Sequence, residues 1–491
     1  MTKSPFRLSA VLLSSAALAG CAVGPNYVRP TAPLSPTFKE AAGWSPAAPA
    51  DTLDRGDWWT LFNDPMLTSL EAKVQVSNQN IIAAEAAYRE ARAVVSEQRA
   101  SLFPTVSLNG SGTESGAGGG SRGAVITGAG GGTVVAGSGS GSTQSTQYRA
   151  SLGASWEPDI WGSIRRTIEG GTAQAQASAA QLAAARLSAQ GELATDYFGL
   201  RAVDAELAVE QATVEAYRRS LKIAQDQYDA GIVAKSDVFL AQTQLANAQS
   251  TLEGFGQQRA TFEHAIAVLV GEAAGNFNLT AAPWVETVPA IPPTVPSSLL
   301  QRRPDIAAAE RTVKFANAQI GVQTAAYFPT VSLSGSYGFA GSELGSLFGS
   351  PNALWSYGAA VAETLFDAGA RHARVNQAKA AHDQTVAQYR EVVLVALQNV
   401  EDELAATRVL ARQSDYLRAA STAADAAERT VLNQYRSGQV VYTDVVTAQT
   451  TANNARIALV QSAAQRQVTA VALIQSLGGG WTVASDPKVS R

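Results

Sequence analysis

The residues able to make and break bonds are few and poorly grouped. Three histidines, His264, His372 and His382, stand far apart, with no HExxH pair on one helix face and no GxSxG elbow. A single cysteine, Cys21, excludes a disulfide framework and any Cys-rich metal site. The Gly/Ser-rich stretch 109–142 contains no GK[ST], and no Lys lies between Lys73 and Lys222, so it is no phosphate cradle. Carboxylates are plentiful but fall on helical faces, where solvated charge is the ordinary state. A net charge of −4 gives no grip on nucleic acid. The expectation is no enzyme, no metal and no cofactor.

Cys21 itself is placed for one kind of chemistry. Lys3 and Arg7 precede the apolar run Leu8–Leu18, which is too short to span a bilayer and reads as an export signal. The run ends in Leu18-Ala19-Gly20-Cys21, which resembles the lipobox of bacterial lipoproteins, where the Cys becomes a lipidated N-terminus. Residues 1–20 are then a removed signal peptide and Cys21 the site of a covalent lipid such as palmitate. No later segment is expected to cross a membrane as a helix.

The elements that follow are written twice. FPTVSL occurs at 103–108 and 328–333, and residues 227–249 match 434–456 at 11 of 23 positions with an offset of 207. Each copy begins with an approach helix, 66–101 or 305–326. A β-hairpin follows, over 103–158 or 328–366, with Pro104 and Pro329 at the bend where helix becomes strand. A long helix pair then turns near Gly231 or Gly438. No Pro separates Pro158 from Pro283 or Pro351 from Pro487, leaving uninterrupted arms from Gly162 to Asp229 and from Gly369 to Arg436. At 1.5 Å per residue each arm extends about 100 Å. Leu193, Leu200, Leu207, Val214, Leu221 and Tyr228 fall seven apart, a coiled-coil seam; Leu397, Leu404, Leu410 and Leu417 carry a less regular stripe. The remaining parts are 21–63 (extended N-terminal segment), 270–304 (Pro-rich linker) and 478–491 (tail). The first copy spans 64–269, the second 305–477. The insertion 109–142 reads as a flexible loop.

The hairpin strands alternate. Val331, Leu333, Tyr337 and Phe339 share a face opposite Thr330, Ser332, Ser334 and Ser336; Tyr148, Ala150, Leu152, Ala154 and Trp156 oppose Arg149, Ser151, Ser155 and Glu157. A soluble antiparallel sheet alternates likewise, but the strand length and terminal aromatics suit a tilted membrane strand. Four strands cannot close, and lipid tolerates no open edge. Two chains would give eight strands and a filled barrel, three chains twelve and an open lumen, which favours a homotrimer.

CAVGPNYVRP (21–30), VPAIPPTVPSSLLQRRPDIAAAE (288–310), the exits WEPDIWG and LFDAG, and both YxxG…DV turns resemble the TolC-like outer-membrane factors. The closest likeness is to the lipoprotein (NodT-type) branch serving resistance–nodulation–division efflux pumps. The resemblance implies a shared twelve-stranded membrane β-barrel and a periplasmic α-helical barrel of antiparallel coiled-coil helices. It also implies a mixed α/β equatorial collar, a periplasmic adaptor and an inner-membrane transporter as partners, and outer-membrane localisation. The function implied is the exit channel of tripartite multidrug-type efflux.

By the same resemblance, the gate is a YxxG followed by an acidic turn. Here that is Tyr435 to Gly438, then Asp444 at the first acidic position and Thr447 where a second aspartate often stands. Tyr435 is expected to hydrogen-bond Asp237 and hold the tip shut. The turns bearing Gly231 and Val233, and Gly438 and Val440, are the implied adaptor-docking grooves. Two other readings stay open at this level: a structural coiled-coil periplasmic lipoprotein, and the exit channel of type I protein secretion.

Overall fold

The computed structural model describes residues 22–32, 38–41, 57–116, 144–289 and 303–479. Cys21, the signal segment, most of the Gly-rich insertion, the centre of the Pro-rich linker and the tail beyond Gly479 lie outside them. Seven α-helices and four strands carry the described fold: α1 (Pro65–Ser77), α2 (Gln79–Ala100), β1 (Thr105–Gly116), β2 (Gln144–Trp156), α3 (Ser163–Asp229), α4 (Lys235–Leu269), α5 (Pro304–Ala325), β3 (Thr330–Gly341), β4 (Ala353–Ala362), α6 (Ala370–Arg436) and α7 (Tyr442–Ser476). The long arms are 67 residues each and the returning helices 35 each. Every one of these helices maps onto its counterpart at the offset of 207 read from the sequence. The chain forms two compact units: Met1–Tyr27 with Ala93–Thr172 and Phe315–His382, and Val28–Arg92 with Ala173–Lys314 and Asp383–Arg491.

The first unit holds one antiparallel sheet in the order β1-β2-β3-β4. Both approach helices end in the same way. Leu102 and Phe103 donate to Arg99 and Ala100, as Tyr327 and Phe328 donate to Thr324 and Ala325, and Pro104 or Pro329 then opens the strand. Proline cannot supply the next helical N–H and biases its predecessor towards extended backbone, so helix gives way to strand there. The Trp161 indole stacks on Phe328 at 4.7 Å and donates to the Pro329 carbonyl at 2.7 Å, pinning the second bend.

The exits into the arms are also duplicated. Asp159 accepts from the backbone N–H groups of Ile164 and Arg165, and Asp367 from those of Gly369 and Arg371. Carboxylates there satisfy orphan donors and oppose the positive end of the helix dipole.

Three sequence expectations are revised. The approach segment 66–101 is two helices, broken at Asn78. The Asn78 side chain accepts from Asn80 and Ile81 while donating to the Leu269 carbonyl, so it caps α2 and ties it to α4. Part of the insertion is strand rather than loop: 109–116 pairs with β2, and Gly112 sits opposite Tyr148, whose ring fills the space a side chain would take. The second arm buries Val393, Ala396, Val400 and Leu404, whereas Leu397, Leu410 and Leu417 are only half-buried.

The second unit has an aromatic core of Trp58, Trp59, Phe62, Tyr197 and Phe198, with Phe62 and Phe198 rings 4.8 Å apart. Asp64 caps α1 through Met66 and Leu67 and accepts the Tyr197 hydroxyl at 2.6 Å. The described linker begins with a 3-10 turn, Ala274–Asn276, and the irregular chain after it is held by side chains of the returning helices: Glu263 accepts from the Leu279 N–H, and Gln467 is bonded to Trp284 and Val285. Of the described helices, α7 alone has the length and composition of a membrane span, and 44% of its most apolar stretch is buried within the chain. Its Gln449, Asn453 and Gln461 are nevertheless spent on partners in α3.

Candidate functional site

The sheet has two uncovered faces. β1 and β4 are exposed almost throughout, and no described element packs over either side as a core. Register assigns the faces. One is built of rungs such as Leu108–Leu152–Tyr337–Trp355 and Val106–Ala154–Gly335–Tyr357, with Trp156–Leu333–Ala359 and Val331–Val361 beside them. Between Val106 and Gly112 on β1, and across its partners, that face holds only apolar, aromatic and glycine residues. Leu108 is 79% exposed and Tyr357 83%, values that water would penalise over so wide a patch. The other face is richest in serine and threonine, with Asn109, Gln147 and Arg149 towards one end and Leu354, Ala340 and Ala360 among its few apolar side chains. Thr105 bonds Ser155 at 2.8 Å across one strand pair, and Ser336 bonds Ser356 at 2.9 Å across another.

Strand lengths agree with that division. β2 has 13 residues and β3 has 12, against the roughly 9–11 that cross a bilayer at a tilt. The outer edges of β1 and β4 have no partner strand among the described residues. An apolar face, a polar face and two open edges describe an arc of a barrel, not a sheet of a soluble domain.

In the second unit, the arm tips are built by one local device used twice. Gly231 and Gly438 adopt φ of 75° and 74°, and the following residues, Ile232 and Gln439, donate back to Gln227 and Gln434. This is a Schellman closure, and the positive φ is what requires glycine, since open space surrounds both positions. Val233 and Val440 lie just beyond these glycines in the two turns, both half-buried.

Around the tips, Ala224, Val238, Ala241, Tyr435, Tyr442 and Val445 form a buried cluster, with the two tyrosine rings 5.2 Å apart, edge to face. The expected Tyr435–Asp237 hydrogen bond is absent. The Tyr435 hydroxyl is buried with no hydrogen-bond partner. Burial, and then the nearby Asp237 charge, push the phenol up to about 12. Asp237, half-buried in the first turn of α4, instead accepts from Ser236 at 3.3 Å. Ring packing against Tyr442 therefore fixes Tyr435, and Asp237 acts on it only through space.

Asp444 and Thr447 lie on one exposed face of the first turns of α7. Thr447 donates to the Thr443 carbonyl, which removes its hydroxyl from any second ring of acceptors. The Asp444 carboxylate has no partner among the described residues.

A polar seam was not anticipated. Along α3, Glu206, Glu210, Thr213, Tyr217 and Ser220 are buried, at spacings of four and three. Glu206 accepts from Gln461, Glu210 from Asn453 and Ser220 from Gln449 at 2.9–3.0 Å, and Gln244 of α4 bridges Tyr217 and Thr450. Burial raises both carboxyls, while the amide donors oppose it. The signal was present as a second set of heptad positions beside the leucine stripe. No group of three metal-ligating side chains occurs among the described residues.

Comparison with known proteins agrees with this architecture. The chain is 29% identical to the toluene efflux pump outer membrane protein TtgC of Pseudomonas putida over 98% of its own length and 96% of that protein. It is 30% identical to nodulation protein T of Rhizobium leguminosarum bv. trifolii, covering 94% and 95%. The outer-membrane channel OprN superposes with a TM-score of 0.80 at 30% identity, over 94% of this chain and all of that one. The profile of the outer membrane efflux protein family matches residues 71–272 and 295–479, and the chain belongs to that family.

Proposed function

We propose that this protein is the outer-membrane exit duct of a tripartite efflux system, working as a homotrimer. Three four-stranded arcs share a twelve-stranded barrel, and the paired arms of three chains assemble into a helical tunnel. The observation that carries the reading is the sheet with one lipid-compatible face, one hydroxyl-lined face and two unsatisfied edges. Neither a soluble coiled-coil lipoprotein nor a monomer accounts for it. The family supports small-molecule efflux over type I protein secretion.

The finer assignments rest on the sequence resemblance. A periplasmic adaptor docks at the turns around Gly231, Val233, Gly438 and Val440, and an inner-membrane resistance–nodulation–division transporter feeds the tunnel. Three Asp444 carboxylates form a single acidic ring at the gate, with Thr447 contributing no charge. Cys21 carries the lipid. The duct is not catalytic.

The test is direct. The purified protein should run as a trimer on unboiled gels, have a trimeric mass in detergent and conduct ions in planar bilayers. A water-soluble monomer with no affinity for detergent would overturn the reading. Radiolabelled palmitate should enter the parent and not Cys21→Ser.

A further inference from the structure

The two copies of the repeat are the same helix pair, yet one is covered by the chain and the other is not. Tyr435 and Tyr442 are 3% and 2% exposed because α3 and α4 pack on them. Their counterparts 207 residues earlier, Tyr228 and Lys235, are exposed, Tyr228 at 37%. Gln449 is buried against Ser220; its counterpart Gln242 is exposed. The same holds on the arm. Thr213 and Ser220 of α3 are buried under α7, whereas Ala420 and Ala427, which occupy those positions in α6, are exposed. The half of a helix–helix interface presented by α4 and the half presented by α6 are thus both uncovered in one chain.

These halves complement one another by the geometry the chain already shows. Inside the chain, α7 of the second repeat packs on α3 and α4 of the first. Applying the same relation at the opposite edges places α4 of one subunit against α6 and α7 of the next. Tyr442 then becomes Lys235, Tyr217 becomes Ala424, and Asp237 becomes Asp444. Within the chain Tyr442 lies close enough to Tyr217 and Asp237 for their charges to act on its phenol, which burial chiefly raises. At the equivalent site two large rings are replaced by a flexible cation and a methyl group, leaving room for the Lys235 stem over Ala424. Among the described residues Lys235 lies over its own Phe239 ring, at 5.5 Å, and Asp444 has no partner.

We infer that Lys235 of each subunit forms an ion pair with Asp444 of its neighbour, and that Gln242 lies over the neighbour's Ala427. The seam inside a subunit is a hydrogen-bonded ladder; the seam between subunits is alanine-floored and held at the tip by one charge pair. Asp444 is then a joint between subunits as well as a lining group. The inference rests on the trimeric reading above.

The test is Lys235→Cys combined with Asp444→Cys in the full-length protein, oxidised in outer-membrane preparations. Non-reducing gels should show dimer and trimer bands, absent from either single variant. Charge exchange serves as the second arm: Lys235→Asp and Asp444→Lys should each raise single-channel conductance, and the double exchange should return it towards the parent. A trimer that shows no intersubunit cross-link and no rescue overturns the ion pair while leaving the channel intact. A parent protein that is monomeric in detergent overturns both.

Discussion

Glu71 offers the sharpest energetic prediction. It lies in α1 with no exposed surface, and both carboxylate oxygens lack a hydrogen-bond partner. Burial without compensation pushes its carboxyl from 4.5 up to about 9. The folded chain therefore holds at neutral pH a proton that the unfolded chain releases. The sign follows from the raised value: stability is full below pH 4.5 and declines as pH rises towards 9, by about 1.4 kcal/mol per unit. At pH 7 the loss comes to about 3 kcal/mol per chain. Glu71→Gln keeps the shape and removes the titration. Guanidinium unfolding of the detergent-solubilised protein can be followed through the buried Trp58 and Trp59. Parent and variant should coincide near pH 4.5, and the variant should lead by about 3 kcal/mol at pH 7. A difference that does not change with pH, or a variant less stable at pH 7, refutes the reasoning, since Glu71 would then be ionised and paired.

Other outcomes follow from the two sites. Leu108→Arg or Tyr357→Arg places a cation on the apolar face, costs about 2–4 kcal/mol near the bilayer centre and should abolish the heat-modifiable band; Ser107→Arg or Ser336→Arg, on the hydroxyl face, should preserve it and shift ion selectivity. Gly231→Ala and Gly438→Ala each force a side chain to positive φ and should lower stability by about 1 kcal/mol, read as an earlier denaturation midpoint. Asn453→Ala strands the buried Glu210 carboxylate and should cost about 1–3 kcal/mol, with a larger penalty at pH 8 than at pH 5 because Glu210 is raised by burial and its ionised form loses its donor. Tyr435→Phe, lacking a hydrogen bond to lose, should leave conductance unchanged, and a marked increase would contradict the packing role given to that ring.

Much of the architecture was readable because it is local and repeated. Pro104 and Pro329 mark the helix-to-strand bends, Gly231 and Gly438 mark the tips, and Gly162 and Gly369 stand one residue before the arms that the proline-free intervals leave uninterrupted. Strand faces were legible from alternation, since side chains point to opposite sides of a strand whatever lies beyond. What escaped depended on contacts remote in sequence. Asn78 breaks the approach helix because it reaches Leu269, which no local pattern announces. Gly112 belongs to a strand because Tyr148 covers it. Glu206 and Glu210 looked like solvated charge until Gln461 and Asn453 were placed opposite them. The Tyr435–Asp237 bond failed for a related reason: correct neighbours do not fix which atoms meet.

The matched lengths of the arms, 67 residues in both halves, and of their returning helices, 35 in both, constrain how such a gene can change. A heptad gained or lost in one half alone would leave its tip out of step with the other, so a viable length variant must carry the same edit twice. The Gly-rich insertion escapes that rule because it falls between the starts of β1 and β2 in the chain, outside all four matched helices, and can grow in one half without an answering change in the other.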